Sequence, residues 1–274
     1  MRLTLLILLA SISSKVFALN LQSYRFSDSY RYSIVDDSYK EKFKGDYLLT
    51  TSLGFTNSPF YVSDENVTRL ESEIIRHQSV LTLGGTYYFN NKLALGIDLN
   101  ALHSDVQGET HSTLGDTILK ARYNIFRTSM ASFSLNPKIY LPTGRVQNFS
   151  TTNSIAGSLS GVGEYHLKDL HLLGSLGFFH GSNNKFSIVD YRNLVLLTLA
   201  ASYDLSPNWA INGEAVKNFT TNRSYRQDEG DYYLTFKYKA HQNFGLFFGG
   251  GIAGVDEIDR NNFTLFAGLK VHGF

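Results

Sequence analysis

Cysteine is absent from this chain, and tryptophan (1), methionine (2) and proline (4) are scarce among its 274 residues. Without cysteine there is no disulfide framework and no thiolate chemistry. No stretch beyond the first eighteen residues is apolar for the roughly 20 residues that a spanning helix needs. A strong charge of one sign is also missing. Of 25 basic residues, Arg2 and Lys15 lie in residues 1–18, which leaves 23 basic against 24 acidic in the remainder. A balance so near zero gives no electrostatic pull toward nucleic acid.

What the chain does have is aromatic residues and glycine, with 20 Phe, 17 Tyr and 23 Gly. It opens with a short basic start at Arg2, a compact apolar run from Leu3 to Ala10, and Val16-Phe17-Ala18. That order is the pattern of a secretory signal peptide cleaved after Ala18. An exported chain of this composition fits an outer-membrane β-barrel of the Gram-negative type. Composition alone fits a secreted β-sandwich as well.

Periodicity separates the two. Many segments of about 10 residues alternate apolar and polar side chains, as strands between lipid and a lumen must. In 92–103, Leu93, Leu95, Ile97, Leu99 and Ala101 share one face, and Ala94, Gly96, Asp98 and Asn100 share the other. In 131–142, Phe133, Leu135, Ile139 and Leu141 oppose Ser134, Asn136, Lys138 and Tyr140. In 262–274, Phe263, Leu265, Ala267, Leu269 and Val271 form the apolar face. The pattern predicts strands near 45–56, 73–89, 92–103, 114–126, 131–142, 154–167, 170–180, 191–205, 209–219, 231–240, 244–254 and 262–274. Short connections carry turn residues, namely Asn90-Asn91, Arg127 to Met130, Lys168-Asp169, Ser206 to Asn208 and His241 to Asn243. Longer polar ones alternate with them, near 57–72, 104–113, 145–153, 181–190, 220–230 and 255–261. The expected fold is all-β, a monomeric transmembrane antiparallel up-and-down barrel of about 12 strands over 45–274. Residues 19–44 are polar and tyrosine-rich, and serve as a periplasmic segment, a plug or an extra strand.

Aromatics near strand ends (Tyr87, Phe89, Tyr123, Phe126, Trp209, Tyr232, Phe244) suit girdles at the two interfaces. Phe274 ends the chain, as a terminal aromatic does in barrels handed to the barrel-assembly machinery. It is out of step with Leu269 and Val271, so a bulge near Gly273 is needed to aim it at lipid.

"LGDTILKARYNIF" (114–126) followed by "SFSLNPKIYLPTGR" (132–145) resembles the outer-membrane family named for the MetA pathway of phenol degradation. The carrying residues are Gly115, Asp116, Arg122, Tyr123 and Leu141 to Gly144. "LLGSLGFF" (172–179), "LVLLTLAASYDLSPNWAINGE" (194–214) and "FTLFAGLKVHGF" (263–274) extend the resemblance over roughly 80–274. It implies a transport-like barrel passing small solutes, with apolar or aromatic ones suggested by family analogy alone. The extra residue near Gly273 departs from the family's usual ending.

Polar-face residues expected to line the lumen are Asp98, Asp116, Lys120, Arg122, Lys138, Glu164, Arg192, Asp204, Glu214, Lys237, Lys239 and Lys270. Opposed walls of charge set selectivity in a pore. The same charges can also neutralise one another in a filled lumen, which would make a structural barrel with adhesive outer loops. A third reading comes from "FFHGSNN" (178–184). His180-x-Ser182-Asn183 is similar to the active-site stretch of outer-membrane phospholipase A and of the lipid A deacylase family. Ester hydrolysis there uses a serine activated by a histidine that a third group orients. Here that group is Asn193, which shares parity with Val195, Leu197 and Leu199. The phospholipase pattern has Gly-Arg where this chain has Asn184-Lys185, and its His-to-Asn spacing is one residue longer.

No phosphate-binding loop, cofactor or metal site is assigned. His103 and His111 flank one outer loop, and His166 and His171 straddle a short turn without ligand spacing. Expected partners are outer-membrane lipid and a small-molecule solute.

Overall fold

A computed structural model of the chain describes residues 45–62, 72–106, 108–144, 154–181, 185–186, 189–190, 193–220, 229–241, 243–255 and 263–273. The expected signal peptide (1–18), the segment 19–44, Ser182, Asn183, Arg192 and Phe274 lie outside these.

Among the described residues the chain is all-β. The strands are β1 (Tyr47–Val62), β2 (Ser72–Tyr88), β3 (Leu93–Val106), β4 (Glu109–Leu114), β5 (Thr117–Arg127), β6 (Ala131–Leu141), β7 (Ala156–Leu167) and β8 (Leu170–Gly181). They continue with β9 (Lys185–Phe186), β10 (Val189–Asp190), β11 (Asn193–Asp204), β12 (Trp209–Thr220), β13 (Glu229–His241), β14 (Phe244–Val255) and β15 (Phe263–Gly273). Every pairing is antiparallel. β1 pairs with both β2 and β15, and the sheet runs on through neighbours until β3 returns to β2. The sheet therefore closes into a barrel of twelve staves. β4 and β5 lie end to end along β3 and make one stave, interrupted at Gly115-Asp116. β9 and β10 form a two-stranded hairpin of their own.

Alternation decides which side of the wall each residue takes. On β1, Leu48, Thr50, Ser52 and Thr56 are buried, while Tyr47, Leu49 and Leu53 are exposed. On β3, Ala94, Asp98, Asn100 and Ser104 are buried and Leu95, Ile97 and Leu99 exposed. Most hydroxyls, amides and charges of the strands face inward, and most leucine, isoleucine and aromatic residues face outward. A water-soluble sandwich would do the reverse, since contiguous apolar surface of this extent is not left to water. The fold thereby selects the membrane barrel over the secreted sandwich.

The short turns are held by side-chain caps. Asn90 Oδ1 accepts from the backbone N–H groups of Lys92 (2.8 Å) and Leu93 (2.9 Å). Thr128 Oγ1 accepts from Ala131 N (2.9 Å), and Ser206 Oγ accepts from Trp209 N (3.1 Å). Lys168 takes the left-handed conformation (φ 48°) in the two-residue turn between β7 and β8. The rim at this short-turn end is aromatic. Tyr87 and Phe89 meet edge to face at 4.9 Å, Trp209 and Tyr238 lie 4.6 Å apart, and Phe126 stacks on Phe133 at 6.2 Å. A register shift between Asn124 and Phe126 places both Ile125 and Phe126 outside, which strict alternation forbids.

One expectation needs correction, and a second, the aim of Phe274, lies outside the described residues. The segment 104–113 was expected to be a loop, yet β3 and β4 carry the ladder through most of it. Its residues are polar on both faces, so hydropathy carries no strand signal there. The hairpin is closed locally instead, by Gly108 at φ 88° and by Asp105 Oδ1 accepting from Gly108 N at 2.9 Å. The second concerns Gly273. The β1–β15 register runs unshifted from Thr264 to Gly273, so the ladder contains no bulge up to that residue.

Leu99→Arg should cost about 2–4 kcal/mol, the range for a cation placed at the midplane of a lipid-facing wall. Urea-dependent folding into phospholipid vesicles measures this. A variant as stable as its parent would show that this wall does not meet hydrocarbon.

Candidate functional site

The inner wall carries the chemistry, because alternation sends nearly all of the strand charge there. Asp98 on β3 and Lys120 on β5 are diagonal neighbours, since Asp98 pairs with Ile118 and Gly96 with Lys120. Lys120 Nζ donates to Asp98 Oδ1 at 2.7 Å, and the two side chains are only 8% and 11% exposed. Two glycines make the pairing fit. A Cβ on Gly84 would lie 2.6 Å from Asp98 Oδ1, and one on Gly96 would lie 2.7 Å from Lys120 Cε. A side chain at either position would have to push the pair aside from where it lies against the wall.

Lys138 on β6 is the direct register partner of Lys120, and Arg122 is buried two residues along β5. Lys120, Arg122, Lys138 and Asn136 border a cavity of about 10 Å³, space for roughly one water. This is a basic wall. Besides Asp98, acids stand elsewhere on the circumference. Glu164 on β7 and Glu214 on β12 are buried, Asp204 ends β11 half-buried, and Thr235 Oγ1 donates to Glu214 Oε1 at 3.4 Å. Lys237 on β13 and Lys270 on β15 return positive charge near the seam, and Lys270 Nζ sits 5.1 Å from the centre of the Phe247 ring. Lys239 is exposed close to the short-turn end. Asp116 is fully buried at the break in the β4–β5 stave, where Asn100 Nδ2 donates to its backbone carbonyl at 3.0 Å.

Apolar groups also face inward. Ile118, Tyr140, Ala156 and Phe179 form a cluster backed by Leu194 and Leu196, and Tyr140 meets Phe179 edge to face at 5.4 Å. These residues lie toward the long-loop end of β5, β6, β7, β8 and β11, since Ala156 opens β7 and pairs with both Tyr140 and Gly181. A second cluster joins Val80, Leu102, Tyr233, Phe247 and Phe266 on the seam side. Both clusters were missed in the sequence because apolar inward residues break the alternation that identifies the inward face. Only register shows that they meet.

Of the residues suggested for ester hydrolysis, the structure brings two together. His180 and Asn193 are direct partners across β8 and β11 on the outward face, and His180 Nδ1 lies 2.7 Å from Asn193 Oδ1. An amide oxygen there accepts from Nδ1–H and turns Nε2 outward as the free base. His103 and His111 are not brought together as a pair. His103 Nδ1 bonds Ser112 Oγ at 2.8 Å, and His111 Nε2 lies 3.8 Å from Glu109.

Asp98→Ala should destabilise the barrel by about 3–5 kcal/mol, because it leaves the Lys120 ammonium buried without its carboxylate. Adding Lys120→Met should restore most of that loss. Urea midpoints of the folded barrel report both, and a loss below about 1 kcal/mol would class the pair with solvated surface bridges.

No curated protein sequence matches the chain. Among solved structures it is similar to the COG4313 outer membrane channel from Pseudomonas putida F1. The TM-score is 0.65 at 14% identity, over 88% of this chain and 100% of that one. It is also similar to the NanC porin (TM-score 0.58, 8% identity, 81% of this chain and 98% of that one). The KdgM porin follows at TM-score 0.52 and 12% identity, over 82% and 99% of the two chains. At such identities the likeness shows a shared fold. A family model described as "Putative MetA-pathway of phenol degradation" matches residues 50–254, and the chain, a closed barrel with its apolar face outward, belongs to that outer-membrane family.

Proposed function

We propose that the chain is a passive outer-membrane channel for small solutes, and for apolar or aromatic ones in particular. One observation carries this reading: the inner wall holds charges of both signs beside inward apolar clusters. Ionisable groups at membrane depth are costly and mark solute or ion pathways where they occur. A barrel whose only task was to fill itself would do so more stably with apolar and small residues. The family and the shared fold of the neighbours support the channel role. The solute preference draws on the family's description and on the inward Ile118–Tyr140–Phe179 cluster, which makes the lining apolar near the long-loop end.

Planar-bilayer conductance of the refolded chain from residue 19 onward is the test. Discrete channels are expected, and Lys120→Glu with Arg122→Glu should move the ion preference toward cations, because two charges on one wall reverse sign. Silence from correctly folded barrels would sink the channel and point to a filled structural barrel. For the solute class, Phe179→Asp should slow entry of a phenol into vesicles more than entry of a sugar of similar size.

A second reading, lipid hydrolysis, is favoured by the bond between His180 and Asn193 on the outward face. There the bond supplies the base and its orienting group at lipid level, and Ser182 would be the nucleophile. If the reading holds, the barrel cleaves phospholipid esters in mixed micelles and Ser182→Ala lowers the rate by roughly 10³-fold or more. A parent barrel without hydrolysis removes it.

A further inference from the structure

We propose that Glu164, His166 and His171 bind one divalent transition-metal cation of the zinc type inside the short-turn end of the barrel, with Asp204 orienting His171. The site is built by the β7–β8 hairpin. Its two-residue turn puts Leu167 opposite Leu170, and therefore His166 directly opposite His171. Tyr165, Leu167 and Leu172 are exposed on the outer wall, so the alternate residues Glu164, His166 and His171 all stand on the inner one.

The side chains converge on one point. His166 Nδ1 and His171 Nδ1 are 2.8 Å apart, with the rings edge to face at 5.0 Å. Glu164 Oε1 lies 3.8 Å from His166 Nδ1, and the three potential ligand atoms all fall within 4.8 Å of one another. Glu164 and His171 are buried. Two imidazole nitrogens at 2.8 Å require a single proton between them, since two N–H groups would collide and two lone pairs would repel. A cation can take that proton's place. Zinc–nitrogen bonds run about 2.0–2.1 Å, which in tetrahedral geometry sets the nitrogens roughly 3.3 Å apart, so the rings need part by only about half an ångström.

The fourth residue makes the arrangement specific. His171 Nε2 lies 3.3 Å from Asp204 Oδ2, on the neighbouring strand β11. The contact is at ion-pair distance but not aligned as a hydrogen bond; a small turn of the ring or the carboxylate on metal binding would align it and hold the tautomer in which Nδ1 presents its lone pair. This is the carboxylate–histidine–metal relation found behind metal-binding histidines. Two imidazoles and one carboxylate, with a position left for water, suit zinc, copper or nickel. Magnesium and calcium prefer oxygen throughout.

The test is calorimetric titration of Zn²⁺ into the refolded, tag-free barrel in detergent. One equivalent is expected, not displaced by Mg²⁺. His171→Gln should weaken binding by more than about 100-fold, and Asp204→Asn by about 10–100-fold, the range for an orienting carboxylate. To keep the test independent of how a histidine variant refolds, the unaltered barrel is also loaded with Cu²⁺ and read by electron paramagnetic resonance, which should show coupling to two imidazole nitrogens. Absence of a saturable Zn²⁺ equivalent, undiminished binding in His171→Gln, or a copper signal without two nitrogens would each overturn the site. None of these readouts depends on whether the barrel conducts, so the site and the channel stand or fall separately.

Discussion

Closure of the backbone hydrogen-bond ladder is the constraint on which the rest of this structure depends. Hydrocarbon offers no partner to a peptide N–H or C=O, so a sheet crosses a membrane only when no edge is left. Here the seam is the unshifted register from Tyr47–Gly273 to Thr56–Thr264, which joins the first stave to the last. Once the seam exists, every strand has two sides of opposite character and no freedom to slip, because a one-residue slip would exchange leucine for charge across the whole wall. Irregularities are confined to strand ends and to the Gly115-Asp116 break, where Gly115 N still donates to Asn100 O at 2.8 Å.

The same closure turns inward polarity into chemistry. Charges scattered along the chain at Asp98, Lys120, Arg122 and Lys138 become one wall because β3, β5 and β6 are adjacent. Burial strengthens each interaction and penalises each gap, and glycine at 84 and 96 leaves the Asp98–Lys120 pair the room it occupies. The apolar clusters of the inner wall follow a different rule. They interrupt the polar lining toward the long-loop end and on the seam side.

Much of this was legible beforehand. The period of two in 92–103, 131–142 and 262–274 gave direction to each side chain before any pairing was known, and Asn90, Thr128 and Ser206 announced turns that their side chains do cap. The glycine-aspartate strand and the closing leucine-proline-threonine-glycine carried the family. What stayed hidden has common physical causes. Polar residues on both faces of 104–113 concealed the β3–β4 hairpin, since hydropathy reads a strand only through contrast between its faces. The register shift between Asn124 and Phe126, which puts Ile125 outside beside Phe126, was also hidden, because a bulge leaves no mark in composition.

The sequence by itself determined the class of fold, the inward or outward aim of most strand residues, and the order of short and long connections, because these follow from local periodicity and turn chemistry. Only the tertiary structure decided which residues touch. His166 meets His171 through the register of one hairpin, while Asp204 reaches them from a strand that begins beyond a long connection. His180 finds Asn193 in the same way. Such contacts depend on register and strand adjacency, which are set by closing the whole sheet and not by any single segment.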